Sequence, residues 1–314
     1  MSETPGRAPD ETDDTEEAGG TQEAEEAAAS GEATGDTRPG LFSPLTWVVV
    51  ALLIVCFASY LKWMWDVWMR SDYYGHGPLI PLISAYVIYR RRNQLRQAGG
   101  GHHLWGLGLL VPGIAIFLAA VYLDVNFIQG FAMIMVIGGL IVLLWGWGRA
   151  KVLLFPIAFL AFMVPTGRLL VTQFSGPLQT YGAAVAAKTV SLVGMPVSLQ
   201  GTTIEIPDYT FEVAQACSGL KSTIAMSALA ALFAFLVDGP NWKRVLLFVA
   251  GAPVALAANA IRITFTLILG RAFGHEAAEG FFHTLSGLMV FVVALIGLFL
   301  VARLLKCDTM RQDI

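Results

Sequence analysis

From residue 45 onward the chain alternates long apolar runs with short polar breaks. Clear runs cover roughly 45–65, 104–123, 130–147, 217–237, 245–269 and 284–305. Each approaches the ~20 apolar residues that a helix needs to cross a hydrocarbon core of about 30 Å. Two shorter runs, roughly 78–90 and 152–165, reach that length only by extending a turn or leaving polar ends in the interface. The pattern predicts an all-α polytopic membrane protein with about eight transmembrane helices. Its alternative is six crossings with two further buried helices.

One long stretch, roughly 166–216, breaks this rhythm. Residues 168–192 are amphipathic and rich in Gly and Ala, with Lys188 the only charge after Arg168, which predicts a helix that lies in the interface or re-enters the membrane. Then Gly201 to Ile206 and Tyr209 to Val213 alternate around Pro207-Asp208, which predicts a small β-hairpin outside the cytoplasm. It leads directly into Cys217.

Composition agrees with a membrane body and adds a division. Of 314 residues, 56% are hydrophobic and 14% charged, where a soluble domain carries nearer a quarter charged. The net charge of −3 hides a split. Residues 1–40 hold 12 of the 23 acids and two basic residues, almost without large apolar side chains. Such a segment buries too little surface to offset its ordering entropy, so it reads as a disordered acidic cytoplasmic tail. The body reads as one domain over 41–306, followed by a short cytoplasmic tail over 307–314. These features exclude an ordinary soluble domain, a nucleic-acid binder with a basic stripe and a disulfide-stapled scaffold. The three cysteines, Cys56, Cys217 and Cys307, form no CxxC and indicate neither a metal site nor any other cofactor.

Charge also orients the body. With the tail inside, the inner loops contain Arg90, Arg91, Arg92, Arg96, Arg149, Lys151, Lys243, Arg244, Arg303, Lys306 and Arg311, against Asp238, Asp308 and Asp313. The outer face is nearly balanced. This inside excess of basic residues supports eight crossings with both termini cytoplasmic.

Three polar residues then fall near the outer boundary on three different helices. Cys217 opens a helix, where the dipole favours thiolate, with Lys221 one turn on along the same face. Burial opposes that effect by raising a thiol pKa. Arg262 lies late in an otherwise uncharged run, and a charge there normally faces protein or water and has a task. Asn259, three residues earlier, is placed to orient it. His283 stands at the entry to the last helix, and imidazole is the usual base near neutral pH. Together they supply a nucleophile, a cation and a base for acyl transfer through a thioester. Asp72 and His76 on the outer face are further candidates for orienting the site.

The strings Ala216-Cys217-Ser218-Gly219, Asn259-Ala260-Ile261-Arg262 and Phe282-His283-Thr284-Leu285-Ser286-Gly287 resemble the three signatures of the exosortase/archaeosortase family. So do Asp72-Tyr73-Tyr74-Gly75-His76-Gly77-Pro78 with the following Arg90-Arg91-Arg92, and Phe155-Pro156 through Val164-Pro165. The resemblance covers about 45–305 and leaves out the acidic tail. It implies a multi-pass cysteine peptidase-transpeptidase of the bacterial inner membrane, with its active site facing the periplasm. Its substrates would be membrane-anchored proteins bearing a C-terminal PEP-CTERM-type signal, cleaved and passed to an acceptor linked to exopolysaccharide. Carried over, Cys217 is the nucleophile, Arg262 the substrate- or transition-state-binding cation and His283 the general acid/base. The hairpin near 201–213 would pair with an extended substrate motif by strand addition.

Two rivals remain at this level. A transporter or channel would line a polar path with Lys221, Arg262 and His283, but few deep intramembrane charges continue it inward. A serine hydrolase would use Ser218 and Lys221, which fit SxxK, although the companion SDN and KTG motifs are absent.

Overall fold

The computed structural model describes residues 43–311 except 72, 100, 102, 167, 193, 207–208, 214–218, 274–280 and 308, and omits the side chains of 168–171, 209 and 281–284. Cys217, Ser218 and Asp72 therefore lie outside the described residues, as does the tail over 1–40. For His283 the helix is described and the side chain is not.

Apolar runs become helices because a membrane leaves no other way to satisfy the backbone of a single segment. In chain order these are α1 (Pro44–Cys56), α2 (Ala58–Arg70), α3 (Leu79–Arg90), α4 (Arg92–Gln97), α5 (Leu107–Tyr122), α6 (Asn126–Phe159) and α7 (Arg168–Leu192). After the strands come α8 (Leu220–Leu236), α9 (Asn241–Phe273) and α10 (Phe281–Leu304). Four helical stretches are long and apolar enough to cross a membrane: Leu104–Tyr122, Asn126–Met163, Asn241–Phe273 and Leu285–Leu304. A fifth results if α1 and α2, bent by 72° at Phe57, form one span; α3 and α8 are shorter apolar helices.

Two runs that the sequence separates, 130–147 and 152–165, join in α6. The 38 residues of Asn126–Met163 would rise about 57 Å as one straight helix, nearly twice the hydrocarbon thickness. The helix is broken at Gly146, whose φ of 82° and ψ of 175° are non-helical. A side chain there would meet the backbone of Gly101, so glycine is required by conformation and by space.

Between α7 and α8 the chain forms a three-stranded antiparallel sheet, β1 (Ser198–Gln200), β2 (Thr203–Ile206) and β3 (Tyr209–Glu212), in that order. The hairpin expected from the alternation is β2–β3, with Ile204 opposite Phe211 and Ile206 opposite Tyr209. β1 adds an outer strand whose residues are all exposed, so no apolar alternation marks it in the sequence.

Packing fixes where the sheet sits. Ile204, Ile206, Phe211 and Val213 are buried against Ala183, Ala186, Ala187 and Val190 of α7 and against Ile263 and Leu267 of α9. The alanines recur at three- and four-residue spacing and form one small-residue face, which lets the sheet lie close. Helices α8, α9 and α10 pack through a second small-residue seam that includes Ala230, Ala234, Ala255, Ala258 and Ala294. A Cβ on Gly251 would lie 2.5 Å from that of Ala230, the close approach typical of membrane helices.

Candidate active site

The three helices that carry the sequence candidates meet through the neighbours of those candidates. Gly219 precedes α8 in the left-handed region, at φ 81°. A Cβ there would lie 2.9 Å from Nδ2 and 3.0 Å from Cγ of Asn259 on α9. Gly219, two residues after Cys217 in the chain and immediately before α8, is thereby seated on Asn259.

One turn along α9, Arg262 is 8% exposed and donates from Nε to Oγ of Ser286 on α10 at 3.2 Å. Asn259 and Ser286 are 2% and 1% exposed. A guanidinium this far from water is costly unless it is hydrogen bonded, so the contact to Ser286 offsets part of its burial. Ser286 lies three residues after His283, one turn along the same helix. The next residue of α9, Ile263, belongs to the apolar cluster under the sheet, so the strands leading towards Cys217 rest on the turn that presents Arg262. Gln179 of α7 also donates its side-chain amide to the carbonyl of Val213, at the end of β3.

A second polar grouping lies beside the first turn of α8. Trp68, Arg70, Tyr73, His76, Lys221 and Phe291 are among the residues lining a cavity of about 390 Å³. Lys221 is exposed here, while Ser222 next to it is buried. Nε2 of His76 is buried without a hydrogen-bond partner among the described residues. Burial lowers the His76 pKa below the ordinary imidazole value, and the Phe162 backbone carbonyl pulls the other way. None of Asn259, Arg262 and Ser286 lines this cavity.

The turn bearing His76 is pinned. Trp68 donates from Nε1 to the Met163 carbonyl at 2.9 Å, and the Tyr74 hydroxyl lies 2.6 Å from that of Thr166. The Thr166 N–H also donates to Tyr74 Oη at 3.1 Å, and Gly77 packs flat against the Trp68 indole. Residues 73–78 are thus fastened to the segment that enters α7.

A family model described as transmembrane exosortase (Exosortase_EpsH) matches residues 68–300. The chain belongs to the transmembrane exosortase family. No curated protein and no solved structure matches it. The matched span takes in every site candidate of this exosortase, from Asp72 to His283, and excludes the acidic tail. With the apolar helices it makes the chain a multi-pass membrane protein of a family of sorting enzymes.

Of the residues singled out from sequence, the described structure brings Asn259 to the start of α8, buries Arg262 of α9 with a hydrogen bond to Ser286 of α10, and puts His76 with Lys221 on one cavity. Two contributors escaped the sequence reading. Ser286 was visible only as part of a motif, and nothing in a single serine marks it as the partner of an arginine 24 residues earlier. Gly219 stood in the sequence only as part of the motif after Cys217, which was expected to open the helix itself; the described helix begins at Leu220, with Gly219 before it in contact with Asn259. Among the described residues no group of three or more His, Cys, Asp or Glu is placed to hold a metal ion.

Proposed function

We propose that this exosortase is a cysteine transpeptidase that cuts membrane-anchored proteins at a C-terminal PEP-CTERM-like sorting signal and transfers them through a Cys217 thioester. The observation that carries the reading is the seating of the α8 start on Asn259, one turn from Arg262, which is itself bonded to Ser286 one turn beyond His283. Residues on three helices are thereby held in register by buried contacts, as a preorganised site requires.

In this mechanism the Cys217 thiolate attacks the scissile carbonyl carbon, and the carbonyl oxygen becomes an oxyanion. Arg262 stabilises that charge or holds a substrate carboxylate. The C–N bond then breaks, the amine leaves with a proton from His283, and an acyl-thioester remains on Cys217. An acceptor nucleophile gives its proton to His283, attacks the thioester and releases the thiolate. Asn259 orients Arg262. Lys221 and His76, on the adjoining cavity, contact the substrate motif, with Asp72 in the same loop. β2 is paired on both sides, so the hairpin offers the extended motif its edge strand, β3; proline substitutions across 209–212 that leave processing intact would count against that pairing.

The reading includes topology. Eight crossings result if the bent α1–α2 pair counts once, α6 counts as two arms joined at Gly146, and α3 and α8 each cross with α5, α9 and α10. The basic loops then face the cytoplasm of the bacterium with both termini, and the sheet and α8 start face the periplasm.

Co-expression with a protein bearing a candidate sorting signal tests the reading. Cys217→Ala, Arg262→Ala and His283→Ala are each expected to leave the substrate at full length. Processing that survives all three changes refutes the mechanism. Loss with Ser218→Ala but not Cys217→Ala moves the nucleophile to Ser218 with Lys221 as its base.

A further inference from the structure

The break in α6 has an unsatisfied donor on either side of it, one of them, Trp145, lining an apolar cavity, far along the chain from the site above. Arg149 is 8% exposed, and its Nε and Nη1 atoms are buried without a hydrogen-bond partner among the described residues. Trp145 is 6% exposed, and its indole N–H is likewise buried and unpartnered. Both groups donate and neither accepts, so only an acceptor can satisfy them. Leaving a guanidinium buried and unpaired is strongly unfavourable. The helices around the break offer no acid nearby in sequence: residues 73–123 and 125–204 contain neither Asp nor Glu. Because α6 breaks at Gly146, Arg149 also stands in the first turn of the second arm, at the positive end of that arm's dipole.

Trp145 and Leu153 flank Arg149 in sequence and both line a cavity of about 430 Å³. Its other walls include Val50 and Leu53 of α1 and Ala85 and Ile88 of α3, and they are almost wholly apolar. The same end of the helices is basic: α3 ends in Arg90, and Arg91 donates from Nη1 to the Val152 carbonyl at 3.3 Å.

We propose that an anionic phospholipid binds at this break, its phosphate accepting from Arg149 and Trp145 and one acyl chain lying in the cavity between α1, α3 and α6. Charge complementarity selects the ligand. The unpaired guanidinium calls for net negative charge, and the adjoining apolar space calls for a hydrocarbon chain, which a free phosphate lacks. Basic clefts between membrane helices on the face rich in arginine are the usual place for such headgroups. The site is independent of the chemistry at Cys217.

The full chain reconstituted in phosphatidylcholine nanodiscs, with and without phosphatidylglycerol, tests the assignment. Native mass spectrometry reads retained lipid, and a thermal melt reads its effect on stability. Phosphatidylglycerol is expected to be retained and to raise the melting midpoint of the unaltered protein. Arg149→Gln should weaken retention about tenfold or more, the loss of a charge-assisted contact, while Arg149→Lys keeps part of it. Trp145→Phe, which keeps the ring and removes the donor, and Ala85→Phe, which fills the cavity, should each reduce retention as well. These two carry the test if Arg149→Gln does not fold. Retention unchanged in Trp145→Phe and Ala85→Phe overturns the proposal. So does equal retention of phosphatidylcholine, or the same rise in midpoint from inorganic phosphate without phosphatidylglycerol.

Discussion

Replacing Gly219 by alanine probes the contact that brings α8 to α9. Two costs add. At φ 81° a non-glycine residue gives up about 1–2 kcal/mol to hold the left-handed conformation. The new methyl would also lie 2.9 Å from Nδ2, 3.0 Å from Cγ and 3.2 Å from Cβ of Asn259, tighter than van der Waals contact allows. Asn259 is 2% exposed and has little room to retreat, so overpacking adds about 1–3 kcal/mol. The sum is about 2–5 kcal/mol, relieved in part if α8 shifts away from α9. Such a shift would carry the start of α8 off Asn259, so processing should fall more steeply than stability. The assay pairs a thermal melt of the purified protein with substrate cleavage in cells. Gly219→Ala with Asn259→Ala should recover the steric share of the stability loss and none of the conformational share. Gly219→Asn, which tolerates the left-handed region but is larger, should do no better than alanine. A Gly219→Ala protein that melts and processes like the unaltered chain would refute the reasoning.

Arg262→Lys keeps a charge but loses the fork and the Nε donor to Ser286, so substrate cleavage should fall about 10²–10³-fold. Ser286→Ala removes one buried hydrogen bond, about 1 kcal/mol, and a cleavage rate reduced up to roughly tenfold is expected; full activity would remove Ser286 from the site. Phe211→Ala should destabilise by about 3–5 kcal/mol, because this ring anchors β3 in the cluster with Ile263; an unchanged melt would mean that the sheet does not rest on α9. The lowered pKa of His76 gives a pH signature of defined sign. The imidazole stays neutral in the fold below the pH at which it protonates in the unfolded chain, so stability falls as pH drops through about 6.5 towards the folded value and is unaffected above that window. His76→Gln should flatten the melting midpoint over that window, and an unchanged slope would contradict the burial of this ring.

Much of the architecture was legible because membrane helices are written in long runs. The runs at 104–123, 245–269 and 284–305 each coincide with a long helix. The alternation of Ile204, Ile206 and Phe211 marked the hairpin, since period two survives wherever one face is buried. β1 escaped because a fully exposed strand has no such period. The bend at Phe57 escaped for another reason: hydropathy records how apolar a segment is, and apolar residues lie on both sides of that change in direction. The break at Gly146 does fall where the run 130–147 ends, before Arg149 and Lys151, but the run boundary does not show that helix continues beyond it. Within the site, the isolation of Arg262 in an uncharged run announced a buried cation. Its partner did not announce itself, because pairing across helices depends on packing that sequence spacing does not encode. Lys221 shows the same limit. Helical spacing put it on the face of Cys217, whereas its membership of the His76 cavity follows from how the 73–78 turn is tied to Thr166 and Met163.

The central claim is that Cys217 carries the substrate as a thioester. Cells expressing this exosortase with a sorting-signal substrate, quenched in acid and analysed by mass spectrometry of the peptide containing Cys217, test it most directly. An acyl adduct on Cys217 that hydroxylamine releases is expected in the unaltered enzyme, and none in His283→Ala, which lacks the acid for the leaving amine. Continued processing by Cys217→Ala, with the adduct absent from the unaltered enzyme, would contradict it.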